Sequence, residues 1–131
     1  MECNFDHLHI RTSDPEQVAV WFEKMLGAEV IRSAQEGKPR VDLRLGGQKI
    51  FIMPVSESEV IHSSPTSPHR GLDHFGLEVR DIDAVYAELK SRGVEFSQHV
   101  YTQRPGIRVM FLRGPEGISI ELLERNERYG V

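Results

Sequence analysis

Cysteine is almost absent from this chain of 131 residues: Cys3 stands alone. No disulfide can form within it, and a reducing cytoplasm is the expected compartment. Long apolar runs are missing too. No stretch approaches the roughly 20 residues that a membrane-spanning helix needs, and the opening MECNFDHLHI has neither the basic nor the apolar region of a signal peptide. A membrane is therefore not an expected partner. Positive charge is not in excess either, since 16 Lys and Arg stand against 20 Asp and Glu for a formal net charge of -4. Such a chain lacks the diffuse basic field that draws phosphate backbones, which argues against nucleic acid. The remaining composition, 39% hydrophobic and 27% charged, is ordinary for a globular protein and names no function. A chain of this length buries roughly two-thirds of its unfolded surface, so it can fold without disulfide or metal staples.

Self-comparison finds the same unit twice. Asp6-His7-Leu8 matches Asp73-His74-Phe75, and the later pairs Asp14 with Asp81, Gly27 with Gly93 and Gly47 with Gly117 follow in order at a nearly constant offset. Each half opens on an alternating run, FDHLHIRT or LDHFGLEV, that reads as a strand. A helix follows. In the first half Asp14 is the expected N-cap, Pro15 takes the first helical position, Val18, Phe22, Met25 and Leu26 share a face, and Gly27 ends the helix. In the second half Asp81 is the cap, Ile82, Val85, Tyr86 and Leu89 form the stripe, and Gly93 is the stop. Three strand-like runs then close each half: AEVIRSA, RVDLRLG and KIFIMP, or VEFSQHV, IRVMFLR and ISIELLE. The chain thus reads as one domain over residues 1–131, with a βαβββ module at about 4–54, a linker at 55–70 and a second module at about 71–125. The Ser- and Pro-rich linker is long enough to act as a lid.

Parity sorts the strand residues into two faces. Leu8, Ile10, Ile50, Ile52, Phe75, Leu77, Val79, Ile118, Ile120 and Leu122 make one face wholly apolar, which must lie under the helices. The other parity carries His7, His9, Arg11, Lys49, Phe51, Met53, His74, Gly76, Glu78, Ser119, Glu121 and Leu123. Asp42 and Arg44 are assigned to this polar face, and Arg108 and Met110 likewise. Both faces are satisfied in an α+β architecture of two βαβββ modules whose curved mixed sheets surround a cavity, with the helices outside.

His7, His74 and Glu121 fall on that inner face, and two imidazoles with one carboxylate can supply a facial metal site with open positions. The residue types alone admit a second reading, in which the histidines are hydrogen-bonded structural groups and Glu121 is a rim carboxylate. His9 shares the face of His7 and reads as a fourth ligand, a group beside the site or an acid/base. His62, His69 and His99 read as surface residues.

The phrases FDHLHI, WFEKMLGAEV, GLDHFGLEV and FLRGPEGISIELLE, in that order, resemble the glyoxalase/bleomycin resistance/extradiol dioxygenase superfamily, also called vicinal oxygen chelate proteins. The resemblance covers nearly the whole chain. It implies paired βαβββ modules, one divalent metal per chain (Zn, Ni, Mn or Fe), and His7, His74 and Glu121 as its ligands. Glyoxalase I and methylmalonyl-CoA epimerase add a fourth ligand, Glu or Gln, from the last strand of the first module. Aligning Gly47 with Gly117 puts Phe51 there, and a phenyl ring cannot ligate. Gln48 and Lys49 are the nearest polar residues, and Gln48 has the wrong parity for the cavity. Three protein ligands are implied, as in extradiol dioxygenases and fosfomycin resistance enzymes.

The implied activity is that of a glyoxalase-type lyase or isomerase, chelating a small oxygenated substrate and stabilising an enolate-like intermediate. An Fe(II) extradiol-type dioxygenase and a metal-free small-molecule binding protein are the alternatives. Glu121, His9 and Glu78 are the candidate catalytic groups. Arg11, Arg44, Phe51 and Arg108 are the candidate substrate contacts, the arginines suiting an anionic substrate. The resemblance also implies a homodimer.

Overall fold

The computed structural model describes residues 1–126. The chain divides into two compact units, Met1–His62 and Ser63–Val131. Among the described residues no helix is long and apolar enough to cross a membrane.

The first unit runs β1 (His7–Thr12), α1 (Pro15–Leu26), β2 (Glu29–Gln35), β3 (Lys38–Leu45) and β4 (Gln48–Pro54). Its four strands form one mixed sheet in the order β1-β4-β3-β2, with β1 parallel to β4 and the other neighbours antiparallel. Helix α1 therefore carries the chain from one edge of the sheet to the other. Its ends are fixed locally. The Asp14 carboxylate accepts from the backbone N–H of Gln17 at 3.1 Å, Pro15 follows at the first turn, and Gly27 closes the helix at φ 69°, a left-handed conformation in which a Cβ is strained. Val18, Ala19 and Phe22 on its inward face are buried with Leu43, Ile50 and Ile52 of the sheet. The apolar parity expected for these strands is the one that forms this core.

The second unit repeats the pattern with β5 (Phe75–Glu78), α2 (Ile82–Ser91), β6 (Phe96–Arg104), β7 (Ile107–Arg113) and β8 (Ser119–Arg125), in the order β5-β8-β7-β6. β5 is parallel to β8. The Asp81 side chain caps α2 by accepting from Ala84 N–H at 3.3 Å, and the Glu124 carboxylate accepts from Ile82 N–H at 2.7 Å, satisfying a second donor at that helix end. Ile82, Leu89, Met110, Leu112, Ile120 and Leu122 are buried. β6 departs from regular pairing at three places along β7, and such bulges sharpen the twist of a strand.

The α+β expectation of two four-stranded mixed sheets and two helices is met. Strand parity is met for β1, β4, β5 and β8, but not for β7. There Arg108 pairs with Glu124 and Met110 with Leu122, while Val109 pairs with Leu123 and Phe111 with Glu121. Cross-strand partners share a face, so Arg108 and Met110 lie on the helix side of the sheet, opposite Glu121. Residues 55–70 contain no strand or helix. Their start is tied to the first unit by Val55 N–H donating to Thr12 C=O at 2.9 Å and by Arg11 donating to Glu59 at 2.9 Å.

Candidate metal centre

In the second unit, His74 stands one residue before β5, and Glu121 lies on β8 opposite Gly76. The parallel pairing of these strands brings together residues 47 apart in sequence: Nε2 of His74 is 2.7 Å from Oε2 of Glu121. The other ring nitrogen, Nδ1, is 2.7 Å from Oδ2 of Asp73. The ring also sits edge-on to Phe111, with centroids 5.0 Å apart. Gly76 has no need of a left-handed backbone, and its lack of a side chain leaves space: a Cβ there would meet Leu123 Cδ2 at 3.4 Å and Glu121 Oε2 at 3.8 Å.

Electrostatics follow from these contacts. Partial burial of His74 favours the neutral imidazole, yet the hydrogen bonds to Asp73 and Glu121 outweigh it and raise the imidazole pKa above its ordinary 6.5. The hydrogen bond from His74 in turn holds the Asp73 carboxyl below the usual carboxylate value.

In the first unit, the same phrase gives a parallel arrangement. His7 opens β1, and its Nδ1 lies 2.8 Å from Oδ2 of Asp6. That hydrogen bond, helped by Lys49, lowers the Asp6 pKa. His7 stacks on Phe51 with centroids 4.2 Å apart, and His9 pairs with Phe51 across the sheet. Arg44 pairs with Lys49, which pairs with His7, so all three share a face. Arg40 and Asp42, on the same parity of β3, make a 2.7 Å ion pair that is largely sheltered from solvent. The Arg40 guanidinium also lies 5.0 Å above the Phe51 ring, a cation–π contact.

Of the site residues read from the sequence, His74 and Glu121 are brought into direct contact, and Glu78 shares their face at the strand end with Arg125 3.7 Å away. His7, His9, Arg11, Arg44 and Phe51 share a face of the first sheet. Arg11 is engaged with Glu59. Arg108 is the exception, since it pairs with Asp83 of α2 on the helix side. Sequence reasoning missed Arg40, although its parity with Asp42 and Arg44 was readable in RVDLRLG. It also used Asp6 and Asp73 only to align the repeat, without giving them a role.

The imidazole of His74 and the carboxylate of Glu121 are donor types that a divalent metal takes, and in the metal-free chain they hydrogen-bond each other at 2.7 Å. Among the described residues, no cluster of three or more His, Cys, Asp or Glu side chains is drawn together.

The glyoxalase/bleomycin resistance protein/dioxygenase superfamily pattern matches residues 4–122. The chain belongs to this superfamily. It is 30% identical over 127 residues to the uncharacterised protein YaeR of Escherichia coli strain K12, covering 91% of this chain and 94% of that one. A shorter match, 36% identical over 63 residues, is to glyoxalase I of Saccharomyces cerevisiae and spans 48% of this chain but only 19% of that protein. Among solved structures, a glyoxalase family protein from Enterococcus faecalis superposes with a TM-score of 0.72 at 26% identity, covering 92% of this chain and 97% of the other. The superfamily takes in metalloenzymes and non-enzymatic members alike. Membership therefore establishes the vicinal oxygen chelate fold and leaves the reaction to be argued from the residues.

Proposed function

We propose that the protein is a divalent-metal enzyme acting on a small oxygenated substrate, with His7, His74 and Glu121 as the metal ligands. The observation that carries this reading is the pairing of His74 Nε2 with Glu121 Oε2 at 2.7 Å, next to a glycine that keeps the space beside the carboxylate open. When bound, the metal would supply Lewis acidity toward two neighbouring substrate oxygens, the chemistry by which glyoxalase-type lyases and isomerases stabilise enolate-like charge.

The chain's own residues define the rest. Phe51 in the place of a fourth ligand leaves three protein donors and gives His7 an apolar neighbour against which a substrate's hydrocarbon part can rest. Arg44, on the face of His7, is the better placed anchor for an anionic group; Arg11 and Arg108 are already paired with Glu59 and Asp83. His9, on the face of His7, Glu121 and Glu78 are the groups able to take and return a proton. A single cysteine suits a reducing cytoplasm, and the homodimer is proposed by analogy with the superfamily, whose members often dimerise.

Anaerobic purification followed by elemental analysis tests the reading. About one divalent ion per chain is expected, and His74→Ala and Glu121→Gln should each abolish stoichiometric uptake. Zinc, nickel or manganese supports the lyase or isomerase activity, whereas iron with oxygen-dependent turnover supports ring-cleaving dioxygenase chemistry instead. Wild-type protein without affinity for any of these ions overturns the proposal and leaves a small-molecule binding protein.

A further inference from the structure

Both histidines of the proposed ligand set are gripped in the same way by the residue before them. Within a regular strand, adjacent side chains point to opposite faces and cannot meet. Asp6 and Asp73 both lie just outside the strands that follow, and there each carboxylate turns back onto its neighbour's ring. Oδ2 of Asp6 is 2.8 Å from His7 Nδ1, and Oδ2 of Asp73 is 2.7 Å from His74 Nδ1.

The second oxygen of each carboxylate is also engaged. Oδ1 of Asp6 is 3.6 Å from Nζ of Lys49 on β4, and Oδ1 of Asp73 accepts from the Ser67 hydroxyl at 3.3 Å. Each aspartate is thus tethered to its own unit through one oxygen and fixes an imidazole through the other. The tethers differ, a cation in one half and a hydroxyl in the other, while the grip on Nδ1 is the same.

We infer that Asp6 and Asp73 are positioning residues that set the tautomer and ring orientation of His7 and His74 so that Nε2 is the donor atom toward a metal. The inference rests on the ligand set proposed above. Its chemistry is simple. An ionised carboxylate only accepts hydrogen bonds, so the nitrogen it faces carries the hydrogen. For His7 this leaves the lone pair of the neutral ring on Nε2, whereas His74 in the metal-free chain faces carboxylates through both nitrogens and would free Nε2 only as a metal took the place of the hydrogen shared with Glu121. Such an outer carboxylate also makes the ring a stronger base toward a metal. Asp6 and Asp73 are both exposed, with side-chain exposures of 66% and 50%, so their contacts contribute little to folding and the variants should fold normally.

The test uses the full chain with Asp6→Ala, Asp73→Ala, Asp6→Asn and Asp73→Asn, titrated with Zn(II) against a competing chelator. Each alanine variant should lose about 10- to 100-fold in affinity, with unchanged melting of the metal-free protein. The asparagine variants, whose amide oxygen can still accept from Nδ1–H, should recover much of that loss. Long-range ¹⁵N–¹H NMR of metal-free protein, at a pH where His7 is neutral, should find its hydrogen on Nδ1 in the wild type and moved toward Nε2 in Asp6→Ala. Unchanged affinity in the alanine variants overturns the inference while leaving the ligand set intact. Equal losses for Asn and Ala reduce the effect to charge and overturn it as well. Wild-type protein that takes up no Zn(II) overturns the ligand set itself, and the positioning role with it.

Discussion

His74 sits between two carboxylates, and its protonation is the most informative titration in the molecule. Because the hydrogen bonds to Asp73 and Glu121 outweigh the effect of burial, its pKa in the folded chain is raised from the ordinary 6.5. A raised imidazole pKa adds to the stability of the metal-free protein in full below the unfolded value, and that contribution disappears as pH rises through the higher folded value. The window therefore opens near 6.5 and extends upward. Histidine NMR of metal-free protein should show His74 titrating above 6.5, and Glu121→Gln should move its midpoint down. A midpoint at or below 6.5 in the wild type would remove the Asp73–His74–Glu121 chain from the description. Since a metal must displace the hydrogen from Nε2, metal affinity should weaken as pH falls through the same midpoint.

At the scale of elements, the helices and the strands were legible to different degrees. Helix ends are set by residues adjacent in sequence: Asp14 caps α1 through Gln17 N–H, and Gly27 supplies the left-handed turn that ends it. Asp14→Ala should lower unfolding free energy by about 1 kcal/mol in urea denaturation, with Asp14→Ser retaining most of it. An alanine variant as stable as wild type would show that tertiary packing alone sets where α1 begins. Strand faces were readable where the alternation has contrast, as in HLHIRT and SIELLE. IRVMFLR has apolar residues on both parities, so only its pairing decides the faces: Phe111 opposite Glu121, Arg108 opposite Glu124. For this reason Arg108 was expected on the substrate side and is found beside Asp83 on α2. Arg40 has a related explanation, since its importance comes from Asp42 and from Phe51 on the next strand, and neither contact is implied by its position at the start of a run.

At the scale of the whole molecule, the superfamily is established by a match running from residue 4 to residue 122, and members of this superfamily often dimerise. A homodimer is the expected state, and sedimentation at micromolar concentration should give a species of twice the 15.0 kDa chain mass. A single species at 15.0 kDa would oppose it. The sequence by itself determined the duplicated βαβββ order, the helix caps, the apolar face of each sheet and the placing of His7 and Glu121 on the opposite, polar parity, because all of these depend on spacing and alternation along the chain. Tertiary structure alone decided that His74 meets Glu121 across 47 residues, that Arg108 leaves the polar face, and that Asp6 and Asp73 turn onto the following imidazoles. Those outcomes depend on strand register and on where each strand begins, which arise from pairing between distant segments and have no local signature.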